Sequence, residues 1–268
     1  MRTPFQVDVR EIEARASSFA PIALADMEGV RLMNRTDTKF MLPLHQLPRL
    51  LTALQPHYAW LEIDGNRLCT YETLYFDTDE LRFYHDHRTR RLNRYKIRQR
   101  HYVQSNLTFT EVKLKNNKGR TIKTRIPNAS RPGMGFDEAS AAFLMQNTGY
   151  ETAHLRPVLW VNYTRLTLVS QTTAERLTID LDVRFRNGTQ QRGYPQVVIA
   201  ELKQDALKAS EFLKLMKQYR LREGSLSKYC LGLISLDHTL KQNLFKPKLK
   251  QLHKLLADDA PVATPLYA

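Results

Sequence analysis

Cysteine is nearly absent from this 268-residue chain: Cys69 and Cys230 are the only two. They lie far apart, without the paired spacing that a zinc site or a dithiol redox motif requires. A reducing, cytoplasmic setting is therefore the expectation. No apolar run approaches the ~18 residues that mark a membrane-spanning helix, and the N-terminus lacks the apolar core of a signal peptide, so the chain reads as soluble. Internal repeats and low-complexity tracts are also missing, which sets aside repeat architectures. Acids are scarce beside bases, 27 against 41, giving a formal charge of +14.

That surplus is local. Between Arg88 and Arg125 stand thirteen Lys or Arg residues and one acid, Glu111, so this segment supplies twelve of the fourteen net charges. A uniformly basic protein attracts nucleic acid or anionic lipid without shape, whereas a cluster on strands points to a built site for a polyanion. The stretches 94–100 (RYKIRQR), 109–115 (FTEVKLK) and 121–126 (TIKTRI) alternate, and alternate residues of a strand share a face. Arg94, Lys96, Arg98 and Arg100 thus fall on one side. Glu111, Lys113 and Lys115 do so on the next strand, and Lys123 and Arg125 on the third. Like charges opposite one another destabilise a sheet, and a bound phosphate chain would remove that penalty.

The remaining pattern is α+β. Phe5, Val9, Ile12, Ala16 and Phe19 have helical spacing before Pro21, residues 35–42 alternate as a strand, and residues 44–54 return to helical spacing. Strand character dominates 71–126, with a hairpin turn over 116–119 containing Gly119. A helix is expected over 137–149, strands over 158–169, 176–185 and 197–203, and helical spacing from Ser210 onward. About eight half-polar strands are most simply satisfied by a closed antiparallel β-barrel, a tunnel whose charged face lines the interior, with helices at both termini and packed outside. The expected division is an N-terminal helical arm (1–30), a central domain (31–236) and a basic C-terminal helix and tail (237–268).

In chain order, the segments 35–39 (RTDTK), 75–78 (YFDT), 97–100 (IRQR), 111–113 (EVK), 163–165 (YTR), 176–180 (RLTID), 201–203 (ELK) and 226–229 (LSKY) resemble the VTC-type polyphosphate polymerase domain of the triphosphate tunnel, or CYTH-like, superfamily. Each piece is commonplace; eight in order over Arg35 to Gly232 are not. The resemblance implies a polymerase that moves the γ-phosphoryl group of ATP onto a growing polyphosphate chain, with Mn²⁺ or Mg²⁺ as cofactor. It implies Lys39, Arg98, Arg100, Lys113 and Lys228 as catalytic cations. Lys123 or Arg125, Arg165, Arg176, Lys203 and Ser227 would be further phosphate ligands, Tyr163 a base-stacking ring and Glu201 the metal ligand. ATP and inorganic polyphosphate would be the partners, specific nucleic acid would not, and export of the product would need a membrane-protein partner. The rival readings are a tunnel-fold triphosphate or polyphosphate hydrolase and a non-catalytic polyphosphate- or inositol-phosphate-binding module.

Two departures bear on these rivals. Hydrolytic relatives carry an E-x-E-x-K motif where this chain has Arg35-Thr-Asp-Thr-Lys39, and relatives can carry a base where Ser225 stands. Fewer carboxylates to activate water favour transfer over hydrolysis. Plainer readings hold elsewhere: Asp180 and Asp182 as charge compensation, His85 and His87 on a polar strand edge rather than at a zinc ion, and Tyr75, Phe76 and Trp160 as core. The leucines and lysines of 238–256 read as a solvated terminal helix, with membrane or partner contact as the alternative.

Overall fold

The computed structural model describes residues 9–30, 36–188, 190–206, 208–224 and 227–258. Phe5, Arg35 and Ser225, on which parts of the sequence reading rest, lie outside them. Eleven strands among the described residues form one sheet. Its main path runs β2 (Thr36–Pro43), β11 (Val197–Gln204), β9 (Glu175–Asn187), β8 (Arg156–Ser170), β4 (Cys69–Asp77), β5 (Arg94–Tyr102), β6 (Leu107–Lys115) and β7 (Thr121–Asn128), all antiparallel. Three short strands sit beside it: β1 (Pro21–Ala23) parallel to β3 (Tyr58–Glu62), which pairs with β8, and β10 (Gln190–Tyr194), which pairs with β9.

The expected closed eight-stranded barrel is not what forms. β2 and β7 end the path and do not pair with each other. The outer edge of β2 is taken by residues 223–224: Phe40 bridges Glu223, and the Gly224 amide donates to the Lys39 carbonyl at 2.9 Å. The β7 edge exposes Thr121, Lys123 and Arg125, and cations on an edge strand oppose further pairing. The open sheet is nevertheless strongly curled. Glu201 on β11 and Lys113 on β6 are five strands apart, about 24 Å in a flat sheet, yet the Glu201 charge acts on the Lys113 ammonium.

Two helical layers cover the convex face. Phe40, Leu42, Leu166, Leu168, Leu177, Ile179, Ala200 and Leu202 pack beneath α2 (Leu47–Leu54) and α5 (Glu211–Gln218), with Ile12 and Ala16 of α1 (Val9–Ala16) joining the same cluster. Helix α4 (Glu138–Thr148) places Leu144 on Leu74, Phe76, Ile97 and Val112. It is capped by Asp137, which accepts from the Ser140 amide, and stops at Gly149, whose φ of 73° suits only glycine well. Helix α3 (Arg82–Arg88) interrupts the run of strands and carries His85 and His87, so these are not on a strand edge. Both ring nitrogens of His87 are engaged, with Arg94 Nε at 3.1 Å and the Tyr95 carbonyl at 3.0 Å, and no group of three or more metal-ligating side chains occurs among the described residues.

The concave face is filled at one end by α6 (Lys228–Leu236) and α7 (Lys246–Asp258). Tyr229, Leu233 and Ile234 of α6 and Leu252 and Leu255 of α7 pack with Met41, Tyr75, Leu159, Val161, Val183, Phe185 and Ile199. The apolar side of the C-terminal helix is therefore consumed in the core rather than solvated or offered to a membrane. No helix among the described residues is long and apolar enough to cross one. Asp77 fastens α6 from below: its carboxylate accepts from the amides of Thr78 (2.8 Å), Phe83 (2.8 Å) and Tyr84 (2.9 Å) and from the Tyr229 hydroxyl.

Helix α6 lies so close to the sheet that a Cβ on Gly232 would stand 2.6 Å from Leu159 Cδ2 and Phe185 Cδ1. Gly232→Ala should therefore destabilise the fold by about 1–3 kcal/mol through overpacking. Gly224→Ala, where the added Cβ meets only the end of the Gln251 side chain, should change little. Thermal denaturation of the two variants checks this.

Candidate functional site: a cationic concave face

Cross-strand partners share a face, and the register gathers the predicted residues on the concave one. Lys39 lies opposite Glu201 and Glu201 opposite Thr178; Lys203 lies opposite Asp37 and Arg176. Arg165 pairs with Asp180 and with Cys69. Arg98 stands between Tyr75 and Glu111, Glu111 also pairs with Arg125, and Lys113 stands between Lys96 and Lys123.

Three carboxylates organise this face, each held between two bases. Glu201 Oε1 is 3.0 Å from Lys39 Nζ and its Oε2 is 3.3 Å from Lys203 Nζ. Asp180 receives Arg165 through Nε at 2.6 Å and Nη2 at 2.9 Å, and Lys228 closes on its Oδ2. Glu111, fully buried, receives Arg98 through Nε at 2.7 Å and Nη2 at 2.6 Å, with Lys123 on its other oxygen. Burial alone would push all three carboxyls upward. Instead Lys203 and Lys39 hold Glu201 well below the usual range, Arg98, Arg100 and Lys123 do the same for Glu111, and Arg165 and Lys228 bring Asp180 down to about 2. All three are ionised at neutral pH, and each trio carries a net positive charge.

Among the described residues Arg100, Lys96 and Lys113 have no carboxylate paired to them. Arg100 donates from Nε to Thr73 Oγ1 at 3.2 Å. Lys96 and Lys113 face each other with no acid paired to either among the described residues. Desolvation lowers both ammonium groups, and Lys113 lies well below its ordinary value. Arg176 sits beside Lys203 on β9. Lys123 and Arg125 are both exposed on β7; Lys123 reaches Glu111, while Arg125 lies 4.3 Å over the Phe109 ring. The Ser227 hydroxyl caps α6, accepting from the Cys230 amide.

Tyr163 is not open for stacking on a base. Its ring is 3% exposed and stacks on Tyr71 at 5.1 Å and 9°. Arg165 lies 5.2 Å and 5.0 Å from the Tyr163 and Tyr71 centroids, Arg100 lies 5.9 Å and 5.3 Å from them, and Lys228 is 4.8 Å from Tyr163. Two rings thus collect cations from three elements. A ring face attracts a cation by about 0.5–2 kcal/mol without cancelling its charge, so the rings hold these groups in place and leave them charged. Tyr71, Lys96 and Asp180 are members of the face that were not singled out as ligands. The parity of Lys96 with Arg98 was readable from the alternation, whereas the ring stack was not.

Glu201 offers one carboxylate, flanked by Lys39 and Lys203, with Asp37 Oδ2 4.0 Å from Lys39 Nζ. This donor set fits a hard divalent cation held by one or two carboxylates and completed by phosphate oxygens and water, and does not fit a resident ion enclosed by protein ligands.

Among known proteins, the family model described as the VTC domain matches residues 34–237. No curated protein matches the chain. Solved structures similar to it include a Bacillus halodurans protein provisionally named an adenylate cyclase (12% identity, TM-score 0.45, covering 73% of this chain and 96% of that one). A second is a Hippeastrum protein, provisionally an adenylyl cyclase, with a dominant triphosphatase activity (14%, 0.46, 76% and 96%). A third is a Vibrio parahaemolyticus protein provisionally named an adenylate cyclase (12%, 0.43, 74% and 97%).

Two outcomes are expected of this face. Tyr163→Leu should weaken tripolyphosphate binding about tenfold by calorimetry, through the loss of the ring that gathers Arg100, Arg165 and Lys228, while Tyr163→Phe should bind like the parent. Partial desolvation of its ammonium end and the Arg98 charge, against the pull of Glu111, bring Lys123 down to about 8 although its side chain is 30% exposed. The cation is complete below that pH and is lost above it, so tripolyphosphate affinity should decline as pH rises through about 8. Lys123→Arg, which keeps its proton, should flatten that part of the profile.

Proposed function

From the premise that this chain belongs to the VTC domain family, we propose that it is a polyphosphate polymerase, transferring the γ-phosphoryl group of ATP to the end of a polyphosphate chain bound on the concave face. The observation that carries the reading is the charge arrangement: many converging cations, and no carboxylate left without a cation partner among Glu111, Asp180 and Glu201. Hydrolysis asks for a base to activate water. A terminal phosphate oxygen is already ionised near neutral pH and asks for none.

In the transfer, an oxygen of the chain end forms a bond to Pγ as the Pγ–O bond to Pβ breaks, ADP leaves with the electron pair, and the chain grows by one unit. Such a reaction needs little covalent help from protein; it needs alignment and positive charge on the equatorial oxygens. Arg98, Arg100 and Arg165 supply planar two-point contacts, and Lys39, Lys113 and Lys228 supply point charges. Arg176, Lys203, Lys123 and the Ser227 hydroxyl hold the flanking phosphates. Glu201 would hold a Mg²⁺ or Mn²⁺ ion, which when bound supplies charge neutralisation across phosphate oxygens. Binding of phosphate between two like-charged side chains also removes the repulsion that the empty face carries.

Incubation of the purified chain with γ-labelled ATP and Mn²⁺ should give a ladder of long labelled chains on a gel. Arg98→Ala and Glu201→Ala should each lower the rate by about 100-fold or more. Label in orthophosphate alone would make the protein a hydrolase, and tight polyphosphate binding without turnover would make it a binding module.

A further inference from the structure

The cationic face does not stop where the site does. On β5 the residues Arg100, Arg98, Lys96 and Arg94 follow one another along one side, about 20 Å of strand. The row Lys96, Lys113 and Lys123 is followed toward one end of the sheet by the row Arg94, Lys115 and Thr121. Beyond that row lie two loops, residues 89–93 and 116–120, which are pinned together by the Asn117 amide donating to Asn93 Oδ1 at 2.9 Å. They carry Arg90, Arg91, Lys118 and Arg120, all exposed.

These loops are built to keep their charge. Arg94 donates to the Arg91 carbonyl at 2.8 Å and Lys115 to the Gly119 carbonyl, both neutral acceptors. Asn116 Oδ1 accepts from the amides of Lys118 (3.1 Å) and Arg120 (2.9 Å), holding the hairpin tip without an acid. Among the described residues the one acid paired to the rim is Asp86, 3.6 Å from Arg91 and shared with Arg82. The rim also adjoins the site in space, since Lys248 of α7 feels the charges of Arg90, Lys39 and Lys96 together.

We propose that Arg90, Arg91, Lys118 and Arg120 form an outer track that binds a linear polyphosphate where it extends past the concave face. The inference rests on the polymerase reading and adds a surface to it. A triphosphate group covers only part of the inner line of cations and does not reach the rim; a longer chain does, and continuity of the rows selects an extended polyanion over a flat surface. The track retains the growing product between transfers.

The test uses the full chain and the variant R90Q/R91Q/K118Q/R120Q, with tripolyphosphate and long-chain polyphosphate as probes, by calorimetry over a range of KCl. The variant should bind tripolyphosphate within about twofold of the parent and long-chain polyphosphate at least tenfold more weakly. The slope of log affinity against log salt for the long chain should fall by about 3, from four contacts at ~0.7 each as for a single strand. Its products from ATP should be shorter. Unchanged long-chain affinity would overturn the track, and equal losses for both probes would make these residues part of the site itself. Loss of binding to phosphatidylserine vesicles with long-chain affinity intact would make the rim a membrane contact and overturn it too. A parent that binds neither phosphate probe would instead sink the functional reading on which the track depends.

Discussion

Repulsion among cations on one face of a sheet is the constraint around which this molecule is arranged. Strands β5, β6 and β7 set Arg98 beside Arg100, and Lys96 opposite Lys113 opposite Lys123. In water such rows are screened; on a concave face where Arg98 and Arg100 are buried they are screened less. The fold answers in three ways. Three carboxylates, Glu111 and Asp180 buried and Glu201 partly so, each bind two bases, two tyrosine rings gather cations without neutralising them, and the ammonium groups of Lys96 and Lys113 are pushed down by burial so that the charged form is disfavoured. Breaking one buried ion pair by removing a partner costs about 3–5 kcal/mol, so Glu111 and Asp180 hold the sheet together as well as orienting their bases.

The second constraint is that a curled sheet must fill its concave side. An interior wholly of cations would not fold. Here α6 supplies an apolar wedge at one end, seated on Leu159 and Phe185 through Gly232 and anchored to Asp77 through the Tyr229 hydroxyl. The same helix begins at Ser227 and delivers Lys228 to Asp180. Packing and ligand placement are thus one event: the apolar half of the concave face orients the charged half. The covered edge of β2 belongs to the same economy, because residues 223–224 lead directly into that helix.

Much of this was legible in the sequence. Alternation over 94–100 and 121–126 put Arg98, Arg100 and Lys123 on a shared face, and the order of the segments from 35–39 to 226–229 pointed to the family. Closure was not legible, since a half-polar strand reads alike whether its edge meets β7 or a two-residue segment such as 223–224. The short strands β1, β3 and β10 have too few residues to alternate visibly. Helix α3 was hidden because residues 82–88 are polar on every side except Phe83 and Tyr84. The packing of Tyr163 is not readable in the sequence because its tyrosine partner, Tyr71, is contributed by a strand about ninety residues away, and no local pattern signals such a stack. Asp180 was set aside as charge compensation, which is what it does, but for Arg165 and Lys228 together.

The two-to-one pairing of bases and acids also sets how the face can accept a phosphate chain. A site of cations alone would bind more tightly but would have to hold its charges apart while empty. A site with one acid per base would be stable and inert, since every incoming phosphate would have to displace an internal carboxylate with equal charge. Between those limits, each trio on Glu111, Asp180 or Glu201 remains assembled at rest and still presents net positive charge. Arg100, with no carboxylate to surrender, is where an anion gains most, because no existing ion pair is lost on binding, whereas Lys96 and Lys113 recover their charge only as an anion offsets their burial. Preorganisation of this kind lowers the reorganisation that binding a polyanion needs. It also makes binding reversible step by step: an anion leaving one trio returns that trio to its internal acid.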